Sequence, residues 1–152
     1  YNLGLMYYEG KGVEQDLKIA FKWYHKAAVQ GQAQAQLNLG AMYDKGQGVE
    51  QDYKKAFRWY EKAAKQELVQ AKNNLGVHYD KGLGVEQDYV QALEWYKKAA
   101  EQGHIFAQMN LGEMYYIGVG VEQDYDQARL WFEKAAEQGE QGAKIWLELL
   151  NE

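Results

Sequence analysis

Apolar positions along the chain follow the spacing of α-helices. Between residues 33 and 45 they fall at i, i+4, i+7 and i+8, namely at Ala35, Leu39, Met42 and Tyr43. This spacing places them on one side of a helix, called helix A from here on. A second stretch, helix B, carries its apolar face at Ala56, Trp59, Tyr60, Ala63 and Ala64. The pattern therefore predicts a hairpin of two amphipathic helices.

This hairpin is one copy of a repeated unit. Its helix A glycine recurs every 36 residues, at Gly4, Gly40, Gly76 and Gly112. Its helix B tryptophan recurs in step, at Trp23, Trp59, Trp95 and Trp131. Written once, the unit reads A-x-x-x-L-G-x-x-Y-x-x-G-x-G-V-E-Q-D-Y-x-x-A-x-x-W-Y-x-K-A-A-x-x-G. Because one hairpin cannot cover its own apolar face, successive hairpins are expected to stack against one another.

The linker between helices A and B contains Gly46 and Gly48 in the sequence DKGQGVEQDY. A glycine-rich loop that opens a helix is also typical of phosphate sites, which need free backbone N–H groups. Asp52 stands immediately before helix B, where its side chain is expected to accept hydrogen bonds from those groups. The linker occurs four times, and no strand precedes it. The sequence therefore favours a hairpin turn, with Gly46 ending helix A in the left-handed conformation.

The motifs L-G-x-x-Y, G-x-G-V, D-Y-x-x-A-x-x-W-Y and K-A-A-x-x-G resemble those of the Sel-1-like repeats, which are relatives of the tetratricopeptide repeats. The resemblance covers essentially the whole chain. It implies an all-α, right-handed superhelical solenoid of antiparallel helix pairs, with a concave surface lined by the A helices. It also implies an adaptor or scaffold for protein complexes, often in bacterial signalling, envelope or host-contact settings. The cellular compartment stays open.

On this interpretation residues 1–152 form a single repeat domain. Its units span about 1–32, truncated at the N-terminus, then 33–68, 69–104 and 105–140, followed by a C-terminal capping helix at 141–152. Glu148 stands where a helix A glycine belongs, so no further helix B is expected to pack there. Tyr1 falls partway along a helix A. The N-terminal end is therefore expected to expose apolar surface, which favours a longer native chain or head-to-tail self-association.

One turn departs from the repeat. Glu67 replaces the glycine that closes helix B at Gly31, Gly103 and Gly139. A non-glycine residue in the left-handed conformation costs about 1 kcal/mol. We therefore expect the connection at residues 65–70 to differ in shape from its three counterparts.

Composition argues against several classes of partner. Lysine plus arginine number 17 against 22 aspartate plus glutamate, a net charge of −5, which argues against nucleic acid as the main partner. There is no cysteine to form a disulfide or a metal thiolate. No apolar run is long enough for membrane insertion. No export signal opens the chain, although a signal removed upstream of Tyr1 would leave no trace.

Candidate catalytic and metal-binding residues are few. His25, His78 and His104 have no partner at helical metal-ligand spacing, and His78 takes a helix A position held elsewhere by methionine. Serine, threonine and cysteine are all absent, so the common covalent nucleophiles are missing. Carboxylates recur at positions that are expected to face solvent. We therefore predict no catalytic residue, no bound metal and no cofactor.

Differences between the units are the best guide to a binding site, because shared residues mostly build the scaffold. With the apolar stripe of helix A facing inward, the positions of Gln34, Leu37, Ala41 and Asp44 form an outer stripe. In the implied architecture this outer stripe lines the concave surface. Its apolar and aromatic members include Tyr8, Leu37, Val77, Phe106, Met109 and Tyr116. They are expected either to contact a partner or to be covered by neighbouring A helices.

An asparagine stands at the edge of the outer stripe in every unit, as Asn2, Asn38, Asn74 and Asn110. An amide both donates and accepts hydrogen bonds, so this row is suited to an extended peptide backbone. The resemblance supports that use, because an asparagine near this point contacts bound peptide in tetratricopeptide repeats. The alternative is a local hydrogen bond from each asparagine to a neighbouring helix end or loop.

These observations predict a non-catalytic scaffold that binds a protein or peptide on the concave A-helix face. The alternative is a structural spacer or self-assembling segment of a larger protein. An enzyme is a distant third.

Overall fold

The structure, a computed structural model, describes residues 1–151, and over that range it contains nine α-helices and no strand. In chain order they are α1 (Asn2–Glu9), α2 (Leu17–Val29), α3 (Ala33–Lys45), α4 (Tyr53–Ala64), α5 (Val69–Lys81), α6 (Tyr89–Ala100), α7 (Ile105–Ile117), α8 (Tyr125–Glu137) and α9 (Gln141–Leu149). Helices α1, α3, α5 and α7 are the predicted A helices, and α2, α4, α6 and α8 are the B helices. The predicted all-α fold is confirmed.

The chain divides into two compact units. The first comprises Tyr1–Ala71 and Leu83–Glu86, and within it α1 packs on α2, α2 on α3, and α3 on α4. The second comprises Lys72–Gly82 and the chain from Gln87 onward, and within it α6 packs on α7, α7 on α8, and α8 on α9. Inside each unit, consecutive helices therefore stack as the repeated pattern predicts.

The predicted apolar faces form the core of the second repeat. Helix α3 buries Ala35, Leu39, Met42 and Tyr43, and helix α4 buries Ala56, Tyr60, Ala63 and Ala64. Trp59 is the exception on α4, because it is only half-buried and Lys62 Nζ lies 4.1 Å from its ring centroid. A tryptophan at the edge of the core covers apolar neighbours with one face and contacts a cation with the other.

The linker ends one helix and starts the next, as predicted. Gly46 follows α3 at φ 66°, and its N–H donates to the Met42 carbonyl. Asp52 precedes α4 and accepts from the backbone N–H of Lys55 at 3.0 Å. A phosphate bound at this helix start would need the donor that Asp52 occupies. The hairpin interpretation of the linker is therefore confirmed.

Two other linker residues have structural roles that the sequence did not reveal. The side-chain amide of Gln51 donates to the Asp44 carbonyl at 2.7 Å, and the equivalent glutamines make the same hydrogen bond in the other three linkers. Gly48 lies so close to the preceding B helix that a Cβ there would overlap the Leu17 carbonyl. The Gln51 hydrogen bond fixes the linker to the end of helix A. The absence of a side chain at Gly48 lets the linker pack against the start of the preceding helix B.

The expectation of a different turn at Glu67 is wrong. Glu67 adopts φ 66°, and no other non-glycine residue within 1–151 has a positive φ. Its N–H and that of Leu68 donate to the last carbonyls of α4, as the N–H groups of Gly103 and His104 do for α6. The turn keeps its shape because these hydrogen bonds outweigh the strain of a left-handed glutamate.

Helix α9 packs on α8 at the predicted C-terminal cap. The Trp146 ring stacks on Phe132 with the centroids 5.3 Å apart and the planes 4° apart, and Ala143 is buried. Within the predicted segment 141–152, Glu152 lies outside the described residues, and the capping role stays a prediction. At the other end, α1 exposes Leu3 and Met6.

Candidate functional site

A cavity of about 270 Å³ lies between α1 and α3 in the first unit. Tyr24, on α2, forms part of its wall. Its complete lining is Tyr1, Leu5, Tyr8, Glu9, Tyr24, Asn38, Ala41, Met42 and Gln47. This site, called the first cavity, combines apolar walls with hydroxyl and amide groups.

The polar groups of the first cavity leave one hydroxyl without a partner. Tyr24 is 1% exposed, and its hydroxyl has no hydrogen bond in the described part of the chain. Burial raises the pKa of Tyr24 to about 12, although the nearby Asn38 amide partly offsets that effect. Tyr8 donates through its hydroxyl to Gln47 Oε1 at 3.1 Å, and Gln34 donates to Asn38 Oδ1 at 3.2 Å. Asn38 thus accepts from a side chain on its own helix, which is neither of its two predicted roles.

A second cavity, of about 240 Å³, lies in the second unit. It is lined by Asp80, Tyr89, Tyr96, Asn110, Glu113, Met114, Ile117 and Val119. Six of these residues are the repeat equivalents of first-cavity residues. The pairs are Tyr8 and Asp80, Tyr24 and Tyr96, Asn38 and Asn110, Ala41 and Glu113, Met42 and Met114, and Gln47 and Val119. The same place in the repeat therefore forms a cavity in each unit, with different chemistry.

The second cavity is acidic. Asp80 and Glu113 are both half-buried, and burial raises the pKa of each carboxyl above its usual value. Lys81 opposes this rise for Asp80. For Glu113 the Trp146 side chain opposes it, and the charge of Asp80 adds to it. Burial, followed by the charges of Asp80 and Glu113, raises the pKa of the Tyr96 hydroxyl.

The residues predicted from the sequence as a binding surface divide into three groups. Tyr8 and Asn38 line the first cavity and Asn110 lines the second. Asn2 and Phe106 are exposed, and Asn74 and Val77 are half-buried, but all four are outside these two cavities. The remaining three, Leu37, Met109 and Tyr116, take part in packing.

Packing explains why those three do not offer a free surface. Leu37 is 9% exposed and therefore covered by its neighbours. Met109 and Tyr116 pack against the cluster of buried residues that α8 shares with α9. The Tyr116 ring lies 5.1 Å from that of Trp146. Of the two roles expected for the outer stripe, these three residues therefore fit the one in which neighbouring helices cover it.

Sequence reasoning missed the groups that give each cavity its character. Tyr24 and Tyr96 fit the helix B pattern as core rings, and only their hydroxyls distinguish them from Phe132 at the same position. Asp80 and Glu113 are outer-stripe residues that were expected to be hydrated, and their burial corrects that expectation. The signal available in the sequence was that two carboxylates occupy the outer stripe of consecutive A helices.

The histidines lie apart from both cavities. His78 is 1% exposed, as expected for a residue that replaces a packed methionine. His104 precedes α7, and its Nδ1 accepts from the Ala107 backbone N–H at 3.2 Å. His25 is exposed. Across residues 1–151 no three histidine, aspartate or glutamate side chains are grouped so that they could hold a metal ion.

None of the helices between residues 1 and 151 is both long enough and apolar enough to span a bilayer.

Comparison with known proteins identifies the repeat. The Sel1 repeat family matches residues 1–32, 33–68, 69–104 and 105–140. A search of curated proteins gives no significant match. Among solved structures, the chain is similar to a protective antigen of uropathogenic Escherichia coli strains that displays an SLR fold. The two share 45% identity with a TM-score of 0.92, over 96% of this chain and 31% of that one.

Two further structures show the same likeness. A Sel1 repeat protein from Oxalobacter formigenes is 40% identical with a TM-score of 0.89, over 96% of this chain and 60% of that one. Cysteine rich protein B of Helicobacter pylori is 29% identical with a TM-score of 0.66, over 88% and 96% of the two chains. The chain thus spans about a third of the antigen and three fifths of the Oxalobacter protein. It belongs to the Sel1 repeat family, whose members are generally scaffolds for protein interaction.

Proposed function

We propose that this chain is a non-catalytic scaffold that binds a protein or peptide segment along the outer stripe of its A helices. The observation that carries the proposal is one cavity recurring at the same place in the repeat. Each cavity presents a tyrosine from helix B and an asparagine from the next helix A. In the first cavity the buried Tyr24 hydroxyl, which lies beside the Asn38 amide, has unused hydrogen-bonding capacity.

The size of the cavities favours side chains over whole metabolites. Volumes of about 270 and 240 Å³ fall below the range of roughly 300–1,000 Å³ that is usual for small-molecule pockets. Repetition of a small cavity suits a ligand that is itself a chain of similar units. The amides of Asn38 and Asn110 can donate to and accept from a peptide backbone beside an inserted side chain. A peptide satisfies both requirements.

The chemistry of the cavities argues against catalysis. With no serine, threonine or cysteine in the chain, neither cavity contains a common nucleophile. The Asp80 and Glu113 carboxyls have raised pKa values, but Tyr96 and Asn110 beside them supply no activated group. A pair of perturbed carboxylates alone is equally consistent with binding a cation.

Selection from a displayed library of random short peptides tests this proposal. We expect enrichment of a sequence consensus, followed by about tenfold weaker binding to a variant with Asn38→Ala and Asn110→Ala, which loses two hydrogen bonds. Asn2→Ala is the matched control, because Asn2 is exposed and outside both cavities. Failure to enrich any sequence, or equal weakening by Asn2→Ala, would count against the proposal and favour a structural spacer.

Self-association is a second candidate function, supported by apolar residues on α1 and α9. Leu3 and Met6 are exposed on α1, and Ile145 and Leu149 are exposed on α9. A head-to-tail contact between copies would bury both faces. Sedimentation equilibrium at increasing concentration should then show oligomers that Met6→Glu and Ile145→Glu each disrupt. A monomer at all concentrations would remove this candidate.

A further inference from the structure

The geometry points to a cation subsite: we propose that the second cavity receives an arginine or lysine side chain of the bound peptide. This inference rests on the proposed function and specifies what one of its two cavities recognises. It commits the second cavity to a basic side chain, whereas the first cavity has no carboxylate at either of the equivalent positions.

The first argument is uncompensated charge. Asp80 extends from the last turns of α5 and Glu113 from α7, and both line the same cavity. Asp80 and Glu113 take part in none of the ion pairs found within residues 1–151, such as Lys11 with Glu9 and Lys55 with Asp52, so neither cavity carboxylate has a basic partner within 4.0 Å. Two half-buried carboxylates without a cation repel each other and lose hydration. A guanidinium or ammonium group between them would relieve both costs.

The second argument is independent of the carboxylates. Tyr96 is 2% exposed, its ring belongs to the core, and it lines the second cavity with its hydroxyl near enough to Asp80 and Glu113 to feel their charges. No hydrogen bond of this hydroxyl is found within residues 1–151, so it is available as an acceptor. A hydroxyl oxygen can accept from an N–H donor of a basic side chain. The cavity therefore offers acceptors from Asp80, Glu113 and Tyr96, on three different helices.

The third argument is the shape of the remaining wall. Ile117, Val119 and Met114 provide apolar surface beside the acceptors, together with the Tyr89 ring. Lysine and arginine carry long hydrocarbon stems that pack on such surface while the charged end meets polar groups. Arginine suits the site best, because its planar head donates five N–H groups in fixed directions.

Comparison with the first cavity shows what produces the difference. Ala41 takes the place of Glu113, and Tyr8 takes the place of Asp80. The first cavity retains the buried tyrosine and the asparagine but lacks these two carboxylates, and the one carboxylate in its lining, Glu9, is paired with Lys11 at 2.7 Å. It is therefore expected to receive an uncharged side chain, and it is an internal control for the second cavity.

Binding of single amino-acid derivatives tests the cation subsite without an identified peptide. The probes are N-acetyl-arginine amide and its neutral isostere N-acetyl-citrulline amide, titrated into the labelled protein and followed by NMR. We expect the arginine derivative to shift the amide signals of Asp80, Asn110 and Glu113, and to bind about tenfold more tightly than the citrulline derivative. Equal affinity of the two probes, or shifts confined to other residues, would overturn the proposal.

Two variants separate the local site from the overall charge. Asp80→Asn with Glu113→Gln should abolish the preference for arginine over citrulline. Asp126→Asn with Glu137→Gln removes the same number of charges from exposed positions on α8, and should keep the preference. Loss of the preference in both variants would show that net charge alone attracts the probe, which contradicts the proposal. Thermal melts confirm that both variants are folded.

The outcome for the cation subsite is distinguishable from that for the scaffold function. Selected peptides without basic residues, whose binding still depends on Asn38 and Asn110, would retain the scaffold and overturn the subsite. An arginine derivative that binds at Asp80 and Glu113, with no peptide selected, would retain the subsite and contradict the scaffold.

Discussion

Tyr60 on α4 occupies the space that a side chain at Gly40 on α3 would need. A Cβ built at Gly40 would lie 2.7 Å from Cε1 of the Tyr60 ring, well inside van der Waals contact. The same relationship joins Gly4 to Tyr24, Gly76 to Tyr96 and Gly112 to Phe132. The repeated glycine therefore lets helix A approach the aromatic ring of its own helix B, and it fixes the position of the ring beneath each cavity.

Gly40→Ala is expected to destabilise the protein. The added methyl group must displace the buried Tyr60 ring, and overpacking of this kind lowers the free energy of unfolding by about 1–3 kcal/mol. Gly142→Ala is the matched control, because a Cβ there would make ordinary contacts at 3.4 and 3.5 Å. That change should raise stability by up to about 1 kcal/mol through helix propensity. Urea denaturation of both variants measures the difference, and equal effects would contradict the close-packing argument.

Asn73→Leu is expected to stabilise the protein. Asn73 is 8% exposed, and its Oδ1 has no hydrogen-bond partner among residues 1–151. Leucine stands at the equivalent position of the second repeat, where Leu37 is buried. Removing an unsatisfied buried oxygen should raise the free energy of unfolding by about 1–3 kcal/mol.

The reverse substitution is the control for that change. Leu37→Asn should lower the free energy of unfolding, because it removes buried apolar surface and buries an amide that has no hydrogen-bond partner there. A loss of stability in Asn73→Leu would show instead that the asparagine makes a contribution that its contacts do not reveal.

Glu67→Gly is expected to stabilise the turn after α4. Glu67 holds φ 66°, a conformation that glycine adopts without the steric cost of a Cβ. The gain in the free energy of unfolding should be up to about 1 kcal/mol. Gly103→Ala introduces the opposite change at φ 84°, where no atom lies within 4 Å of the new Cβ. It should cost a similar amount through backbone strain alone, and thermal melts of the pair provide the measurement.

Repetition made the fold predictable because each repeated residue acts over a short distance. Gly46 ends its helix through a hydrogen bond from its own N–H to Met42, and Asp52 starts the next through the N–H of Lys55. Interactions between residues that are close in sequence require the same residue types in every repeat, so they can be read from the repeated pattern. The same logic failed at Glu67, because the turn is held by backbone hydrogen bonds that any residue can make.

The cavities were less predictable because exposure within the outer stripe depends on neighbouring helices. Leu37 and Phe106 both belong to that stripe, yet Leu37 is 9% exposed and Phe106 is 65% exposed. Periodicity within one helix cannot distinguish the two. The tyrosine hydroxyls were missed for another reason. A Tyr96 ring and a Phe132 ring fit the same core pattern, and only the structure shows that Tyr96 lines a cavity together with Asp80 and Glu113.

Replacing Asn38, Asn74 and Asn110 together by alanine is expected to weaken peptide binding by about tenfold or more and to leave the helical melt unchanged. Asn38 and Asn110 line the cavities, and all three side chains are half-buried, so their loss removes polar groups without creating large voids. Comparing single variants separates their roles, since Asn74 lines neither cavity and should contribute least. Unchanged affinity in the triple variant would dismiss the asparagine row as a binding element.

The carboxyls of Asp52 and Asp80 are expected to titrate on opposite sides of the ordinary aspartate pKa of 3.8. The Lys55 backbone N–H and side chain hold the pKa of Asp52 below that value, whereas burial raises the pKa of Asp80. Glu113, with a raised pKa, and Tyr96 face Asp80 across the second cavity, and Lys81 follows Asp80 on α5. Carbon NMR of the side-chain carboxyls resolves both midpoints in one titration.

The raised pKa of Asp80 also fixes how stability depends on pH. A carboxyl that binds its proton more tightly in the folded state stabilises the fold below pH 3.8, and this contribution is lost as the pH rises through its folded pKa. Asp80→Asn should therefore be more stable than the parent protein near pH 7, with the advantage shrinking toward pH 3.8. Saturation with N-acetyl-arginine amide should lower the pKa of Asp80, because a bound cation favours the carboxylate. If the Asp80 midpoint does not move in the arginine-saturated protein, burial alone raises its pKa and the bound cation does not contact Asp80.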